Sequence, residues 1–327
     1  MWTFASREGV EALTPETVLA LTLGDPRGIG PEVAVRAAKQ FKEEDPDTRL
    51  LLIGPENMAP GGFDYCASDP WDGTQASAGA AAAAAIESAV ELATAGQVAG
   101  IITGPVHKPA LVEAGWHVPG HTEMLQQLTG SRRVGMLMCA EHTLLGPPLR
   151  VLLATTHVPL RDVAGLVTTE LLVDQAELLA ASLADAWDIP APRLALCALN
   201  PHASDQGLFG HEEATVMEPA VEALRGRGVS AEGPIPADTV FSRALDGEFD
   251  AVVAPYHDVG MAPFKAVAFG HGVNVTLGLP FVRTSPDHGT AFDLAGTGTA
   301  DPSSMVEAVR LAARLARKRF DTAIAHV

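Results

Sequence analysis

Short apolar runs alternate along the chain with longer stretches that have helical spacing or helical propensity. The apolar runs predict buried strands at 18–23, 50–53, 99–103, 150–155, 193–199 and 250–254. The longer stretches predict helices at 33–42, 77–95, 168–183, 212–227 and 305–319. The segment from 55 to 74 is rich in Pro, Gly and Asp and is expected to be an exposed loop. Because strands and helices alternate, we predict an α/β fold with a largely parallel sheet.

The composition narrows the possible classes of function. With 327 residues, 47% of them hydrophobic, the chain can form two domains or one large α/β unit with a sizeable core. A formal net charge of −18 argues against nucleic acid or an anionic membrane as a partner. Three widely spaced cysteines fit a reducing compartment, and neither a signal peptide nor a membrane-spanning apolar run is visible. We therefore expect a cytoplasmic protein whose anionic ligands need a locally basic pocket.

Three histidines directly follow apolar strands. His157, His202 and His257 each lie just past the predicted carboxyl end of a strand. Ligands of open α/β sheets collect outside the carboxyl ends of strands, and three imidazoles there could hold one metal ion with a position left for substrate. The alternative is that each imidazole is satisfied by ordinary hydrogen bonds. The coincidence of three favours a metal site, and imidazoles favour Zn²⁺ or another transition ion over Mg²⁺, with Mn²⁺, Co²⁺ and Mg²⁺ left open.

Other charged residues are candidates for proton transfer and anion binding. Asp238 and Asp258 could move protons, or could simply fill turn and N-cap positions. Lys265 and Arg283 are the candidate anion receivers. Arg283 follows the apolar run 277–282, which argues against a solvated surface position.

Two glycine-rich runs are candidates for ligand binding. The turn at 24–32 lies between a strand and a helix, where backbone N–H groups can receive an anion, although a tight connection with no ligand explains it equally well. In the run 289–296, glycines would let the backbone approach a ligand, and Asp293 could accept hydrogen bonds from ribose hydroxyls. Taken alone, the second run favours a nucleotide only weakly.

Eight segments, in order, carry a resemblance to a known family. They are GDPRGIGPE (24–32), TGPVHK (103–108), PGHTEM (119–124), TTHVPLRDV (155–163), LNPHASDQGLFGHEE (199–213), GPIPADTVF (233–241), YHDVGMAPFK (256–265) and GVNVTLGLPFVRTSPDHGTAFDLAG (272–296). The chain resembles 4-hydroxythreonine-4-phosphate dehydrogenase, the PdxA family of pyridoxine biosynthesis. Residues 288–296 are similar to the cofactor loop HGSAxDIAG of the isocitrate and isopropylmalate dehydrogenases.

The resemblance implies a fold of two α/β/α domains with a cleft between them, as in isopropylmalate dehydrogenase. One domain would combine residues 1–130 and 275–327, and the central domain, 131–274, would form a homodimer whose active site both chains share. One of the three metal-binding histidines would then come from the partner chain. We expect His257 to complete a pair formed by His157 and His202 of the neighbouring subunit.

The resemblance also implies a reaction. A small phosphorylated amino acid, 4-phosphohydroxy-L-threonine, would be oxidised at its C3 hydroxyl with NAD and a divalent metal ion, and the β-keto acid would lose CO₂. The implied residues are His157, His202 and His257 for the metal, His121, Thr122, Lys265, Asn274 and Arg283 for the substrate, and His288, Gly289, Asp293 and Gly296 for the cofactor. Asp258, Asp238 or Lys265 would transfer the proton. Asp293 favours NAD over NADP because it would repel a 2′-phosphate.

Other functions remain open at this point. A related dehydrogenase would act on D-threonate or D-erythronate 4-phosphate, or on a dihydrodiol dicarboxylate, with the same fold and metal site. A zinc hydrolase would use the histidines to activate water but would not need the loop at 288–296. A metal-binding protein without catalysis is the last alternative. The short loop at 55–74 and the leader before Thr17 depart from the family pattern and leave the rim of the cleft undefined.

Overall fold

The structure, a computed structural model, describes residues 17–118 and 120–325, and side chains as far as residue 318. The strands are β1 (Thr17–Thr22), β2 (Thr48–Pro55), β3 (Asp64–Ser68), β4 (Gly100–Thr103), β5 (Gly135–Ala140), β6 (Leu149–Leu153), β7 (Leu194–Cys197), β8 (Ala231–Ile235), β9 (Ala251–Ala254), β10 (Val273–Leu277) and β11 (Val282–Pro286). The helices are α1 (Gly30–Glu44), α2 (Gln75–Thr94), α3 (Lys108–Glu113), α4 (His121–Thr129), α5 (Leu160–Leu166), α6 (Thr169–Ala186), α7 (Glu218–Gly226), α8 (Ala237–Leu245), α9 (His257–Ala268) and α10 (Ser303–Ala325). The leader before Thr17 lies outside the described residues.

One mixed sheet contains all of these strands, in the order β3-β2-β1-β4-β11-β10-β5-β6-β9-β7-β8. Strands β3, β2, β1, β4 and β11 are mutually parallel, and so are β6, β9, β7 and β8. Between these two blocks, β10 is antiparallel to β11 and to β5, and β5 is antiparallel to β6. Because three antiparallel pairings separate the blocks, their strands run in opposite directions.

Helices cover the two faces of the sheet unevenly. On one face a single large cluster packs α1, α6, α7 and α10 against strand residues such as Leu21, Leu137 and Leu152. On the other face one cluster joins α2, α3 and α4 to Ile101, and a separate one joins α8 and α9 to Val252. Between these two clusters, a cavity opens over β11, β10 and part of β5.

The predicted strands and helices are present in the described residues, with ends that differ by a few positions. Seven of their ten strand pairings are parallel, which confirms the largely parallel sheet. The prediction of an exposed loop from 55 to 74 is wrong for Asp64–Ser68, which pairs with β2 as the edge strand β3. The division into domains at 130 and 274 stays a prediction. In the part of the chain described, no helix combines the length and apolarity needed to cross a membrane.

Candidate active site

A cavity of about 550 Å³, the central cavity, opens over the middle of the sheet. Strands β4, β5, β10 and β11 contribute its floor, with α3 and α4 on one side and α9 on the other. Its polar lining residues are Thr103, Lys108, His121, Thr122, Glu123, His157, His257, Lys265, Asn274, Arg283, Ser285, Asp287 and His288. The structure therefore brings together all of the residues that were predicted to bind substrate.

Arg283 lies in the floor of the central cavity, with 1% of its surface exposed. Its guanidinium donates to the hydroxyls of Thr276 at 2.9 Å and Thr103 at 2.6 Å. Among the described residues, no carboxylate forms an ion pair with it and its Nε has no hydrogen-bond partner. Burial lowers the pKa of Arg283 to about 9, which still leaves it protonated at neutral pH. A buried cation held only by neutral hydroxyls is arranged to receive an anion.

Buried polar atoms without a partner are concentrated in this cavity. Four of them, counted over the described residues, are His121 Nε2, Asn274 Oδ1, Arg283 Nε and His288 Nε2. Buried polar atoms are nearly always hydrogen-bonded in folded proteins, so such a group marks a place where ligand atoms can complete the bonding. Burial, together with the charges of Arg283 and Lys108, lowers the pKa of His121 to about 3, so its imidazole is neutral.

His157 and His257 stand side by side at one rim of the central cavity. Their ring centroids are 5.7 Å apart and their planes are inclined by 40°. Burial lowers the pKa of His157, and the charges of Lys108 and His257 lower it further. Asp258 Oδ1 lies 2.7 Å from Nδ1 of His257, so Nε2 is the nitrogen left to face a ligand. Two imidazoles in this arrangement can contribute to one divalent-cation site but need further ligands to complete it.

His202 lies apart from this pair. It is exposed, in a turn after β7 where its backbone φ is 53°, and it does not line the central cavity. In the described part of the chain, no three His, Cys, Asp or Glu side chains are grouped closely enough to hold a metal ion. Because β6, β9 and β7 are parallel neighbours, the three histidines do follow strands that end at the same edge of the sheet. Within one chain His157 adjoins His257, and the expected pairing of His157 with His202 stays a prediction.

The three candidates for proton transfer occupy different environments. Lys265 Nζ donates to the carbonyl oxygen of Asp287 at 3.0 Å and lines the central cavity. Asp258 has a side chain that is 82% exposed and contacts His257 without lining the cavity. Asp238 is exposed in the first turn of α8, also outside the cavity lining. Of the three, only Lys265 faces the cavity within its own chain.

The candidate cofactor loop, residues 288–296, begins in the cavity and ends outside it. His288 and Gly289 line the central cavity. Asp293 and Gly296 are exposed and lie beyond the lining residues. The loop could therefore carry a long ligand from the cavity toward the surface of the protein.

The glycine-rich turn at 24–32 packs against this loop. Ile29 N donates to Thr290 O at 2.9 Å, and a Cβ added to Gly28 would come within 2.6 Å of the same oxygen. Glycine is thus required at position 28 for the close approach of two backbones. The contacts favour a structural role for this turn, supporting the candidate cofactor loop, over a free anion site.

Besides Asp287, which lies 3.7 Å from Lys265, two charged residues of the central cavity are absent from the predicted site. Lys108 begins α3, and Glu123 lies in the first turn of α4. Both belong to segments that resemble the family, TGPVHK and PGHTEM, and that membership is the signal by which they could have been found.

Comparison with solved structures gives the class of fold. An isocitrate dehydrogenase from Methylococcus capsulatus superposes with a TM-score of 0.54 at 15% identity, covering 93% of this chain and 87% of that one. At this identity only the fold is shared. It confirms the predicted α/β architecture of the isocitrate and isopropylmalate dehydrogenases.

Sequence comparison then gives the family. The family model described as pyridoxal phosphate biosynthetic protein PdxA matches residues 34–312, and the chain belongs to this family. A 4-hydroxythreonine-4-phosphate dehydrogenase from Chromobacterium violaceum is 41% identical, over 91% of this chain and 97% of its own length. A D-threonate 4-phosphate dehydrogenase from Cupriavidus necator is also 41% identical, over 92% of this chain and 98% of its own length. The crystal structure of a 4-hydroxythreonine-4-phosphate dehydrogenase from Klebsiella pneumoniae has a TM-score of 0.81 at 36% identity, covering 92% of this chain and 99% of that one.

Proposed function

We propose that this protein oxidises 4-phosphohydroxy-L-threonine at its C3 hydroxyl with NAD and a divalent metal ion, and that the product loses CO₂ to give 3-amino-2-oxopropyl phosphate. The observation that carries the proposal is that one cavity combines an imidazole pair with three cations, Lys108, Lys265 and Arg283. The phosphate and carboxylate of the substrate together bear about three negative charges at neutral pH. The cations of the cavity match them in number.

Arg283 and its neighbours would bind one anionic end of the substrate. The guanidinium is oriented by two threonine hydroxyls and keeps Nε free for a ligand oxygen. His121 and Thr122 open α4, so the backbone N–H groups of that helix and the neutral imidazole can add hydrogen bonds. Lys265, held by Asp287, supplies a second cation and is the candidate within the cavity for moving the proton.

His157 and His257 would hold the metal ion, and His202 of a partner subunit would complete the site in a homodimer. The bound metal supplies positive charge that lowers the pKa of a hydroxyl and stabilises the negative charge that develops as CO₂ leaves. Asp258 would keep the ring of His257 oriented through its 2.7 Å contact with Nδ1. Exposed apolar side chains in the His202 loop support a partner surface, since Leu208 is 72% and Phe209 47% exposed.

NAD, which accepts the hydride when bound, would be held by the loop at 288–296. His288 and Gly289 would contact its end inside the cavity, and His288 Nε2 has an unfilled hydrogen bond there. Asp293 and Gly296 would contact its outer part, where the carboxylate suits ribose hydroxyls and disfavours a 2′-phosphate.

The direct test is formation of NADH by the zinc-loaded protein supplied with NAD and 4-phosphohydroxy-L-threonine. We expect turnover that requires both NAD and the metal, with release of one CO₂ for each NADH. Product release from the substrate without NAD would contradict the proposal and would favour a hydrolytic use of the histidines.

D-Threonate 4-phosphate is the second candidate substrate, because a dehydrogenase of that name is as similar to this chain as the Chromobacterium enzyme. Its kcat/KM should be measured beside that of 4-phosphohydroxy-L-threonine. A higher value for the threonate would overturn the substrate assignment and leave the dehydrogenase reaction in place.

Sharing of the metal site between subunits can be tested by mixing inactive variants. His202→Ala and His157→Ala should each be inactive alone. If His202 serves the partner's site, randomly exchanged dimers of the two regain about a quarter of wild-type activity, because each mixed dimer has one intact site. No recovery after exchange would mean that His157 and His202 act in the same chain and would contradict this arrangement.

A further inference from the structure

The central cavity contains one carboxylate whose charge is not used within the described chain. Glu123 and Asp287 are the carboxylates among its lining residues. Asp287 is largely buried, accepts a hydrogen bond from the Ser304 hydroxyl at 3.1 Å, and lies 3.7 Å from Lys265 Nζ. Glu123 is half-exposed in the first turn of α4 and has no ion pair or side-chain hydrogen bond among the described residues.

Glu123 reaches the part of the cavity where the other charges converge. A Cβ added to Gly120 would lie 3.4 Å from Glu123 Oε2 and 3.9 Å from Cε of Lys108, so both side chains border the same point without forming an ion pair. Burial lowers the pKa of His157, Lys108 lowers it further, and the Glu123 carboxylate opposes that change. The carboxylate also acts on the pKa of Arg283, against the larger effect of burial. Because Glu123 lines the same cavity as the imidazole pair and Arg283, a ligand held between them can also contact Glu123.

The charges of the cavity distinguish two closely related ligands. Asp287 already has a cation nearby, Lys265, which is also proposed to bind an anion of the ligand. Glu123 is therefore the carboxylate that remains to neutralise a cation on the ligand. An α-amino acid has such a cation on C2, next to its carboxylate, whereas the corresponding hydroxy acid has a neutral hydroxyl there. For a hydroxy acid, Glu123 would face an entirely anionic ligand, and like charges at short range are costly in a partly desolvated site.

We propose that Glu123 binds the ammonium group at C2 of the substrate and thereby selects a phosphorylated amino acid over the hydroxy acid of the same skeleton. Lys108, which borders the same point beside Gly120, would bind the adjacent carboxylate. This inference rests on the proposed function of the central cavity and identifies the residue that sets its substrate class. It also explains why an otherwise cationic cavity for a phosphate and a carboxylate retains a free negative charge.

The test compares two ligands that differ at C2, 4-phosphohydroxy-L-threonine and D-threonate 4-phosphate. Their affinities are measured by calorimetry with the zinc-loaded protein without NAD, and their kcat/KM values with NAD. Glu123→Gln keeps the shape and removes the charge, Glu123→Asp keeps the charge, and Glu222→Gln removes an exposed carboxylate on α7 as the matched control. Loss of one charge-assisted hydrogen bond weakens binding of the amino acid by roughly tenfold to a hundredfold in Glu123→Gln.

The same variant should bind D-threonate 4-phosphate as well as wild type does, or more tightly, because a repulsion has been removed. Glu123→Asp should retain the preference for the amino acid, and Glu222→Gln should change neither ligand. An equal loss for both ligands would overturn the proposal and assign Glu123 to orienting His157 or the metal, and no loss for either would overturn it too. A wild-type protein that binds the amino acid but forms no NADH would contradict the proposed function, while the calorimetry would still decide the role of Glu123.

Discussion

Two cavities in this molecule are rich in basic side chains, and they differ in how those charges are neutralised. The second, the α10 cavity, has a volume of about 460 Å³ and is lined by the charged residues Glu44, Asp45, Asp188, Arg310, Arg314, Arg317 and Lys318. Each of its four cations forms an ion pair with a carboxylate. In the central cavity, Arg283 is more deeply buried than any of them and has no carboxylate partner in the described part of the chain.

The difference separates structural cations from binding cations. In the α10 cavity the carboxylates come from the end of α1 and from residues beyond β5 and α6, so the ion pairs hold the last helix against the rest of the fold. A cation that is already held in a close ion pair has less to offer a ligand than a cation without a counter-charge. A buried cation without a counter-charge costs folding free energy, and a ligand anion can recover that cost on binding. Volume and basic composition are similar in the two cavities. What distinguishes the central cavity is Arg283, a buried cation with no carboxylate partner in the described part of the chain, although its Lys265 lies 3.7 Å from Asp287.

The largest effect is expected from Arg283→Met, which tests whether the unpaired cation of the central cavity binds substrate. Removing the cation that faces a buried anion should lower kcat/KM roughly a thousandfold. Thermal stability should not fall, because an apolar side chain of similar length replaces an unpaired buried charge. Steady-state kinetics and thermal unfolding of the same preparation measure both effects.

Arg314→Met is the matched control in the α10 cavity. It should leave kcat/KM near the wild-type value and lower the melting temperature, because it leaves Glu141 with one cation fewer. If Arg283→Met lost stability and kept activity, the assignment of binding and structural cations would be reversed.

Glu141 should give the largest effect on stability. Burial alone would raise the pKa of Glu141, but Arg314 and Arg150 lower that pKa to about 2. The side chain also accepts a hydrogen bond from Trp187 Nε1 at 3.0 Å. Glu141→Gln should therefore destabilise the protein by about 2–3 kcal/mol at pH 7.

The pH dependence of the destabilisation caused by Glu141→Gln provides the control. A carboxylate whose folded pKa lies below its unfolded value stabilises the protein above the unfolded pKa, and the contribution disappears as pH falls toward about 2. The difference between wild type and Glu141→Gln should thus shrink on acidification below pH ~4.5. A difference that stays constant over that range would show that shape, and not charge, makes Glu141 important. Denaturant unfolding at several pH values measures it.

His121 should show a smaller effect in a separate pH range. Its folded pKa of about 3 lies below the ordinary value of 6.5, so the unfolded state binds a proton first as pH falls. Keeping His121 neutral therefore costs no free energy of unfolding above pH 6.5, and the protein loses stability as pH falls from 6.5 toward 3. Between pH 7 and 5, wild type should lose about 1–2 kcal/mol more than His121→Gln does. Equal losses would mean that His121 is protonated in the folded protein and binds its ligand as a cation.

Local sequence patterns predict much of this fold and part of its site. Apolar runs predict strands correctly because most of these strands are covered on both faces, and the apolar run before Arg283 predicts its burial. The reversal of strand direction could not be predicted in this way. It depends on pairing β10 with β5, where Asn274 lies opposite Met138, and no local pattern contains that pairing.

The candidate site shows the same limit at the level of side chains. Each of His157, His202 and His257 directly follows a strand, and this position predicts that they share an edge of the sheet. The strands that they follow do end at the same edge. The position does not predict which of them meet, because that depends on the turn after β7, where His202 adopts a positive φ. For Glu123, membership of the segment PGHTEM could have indicated a place in the site, but not its role there. Its distinguishing property is the absence of a partner, which only the packed structure reveals.

The smallest effect is expected from Arg310, whose partner Glu44 is more exposed than Glu141, the partner of Arg314. Arg310 pairs with Glu44 and Glu307, but its side chain is 39% exposed and that of Glu44 is 36% exposed. Water and salt screen such pairs, so Arg310→Gln should cost less than about 1 kcal/mol at low ionic strength. In 1 M salt, where the Debye length is about 3 Å, the loss should approach zero. A salt-independent loss above about 2 kcal/mol would show that the Arg310–Glu44 pair stabilises the fold as strongly as the Arg314–Glu141 pair, whose carboxylate is less exposed. In that case the Arg310–Glu44 pair, and not only the Arg314–Glu141 pair, would hold α10 against the rest of the fold.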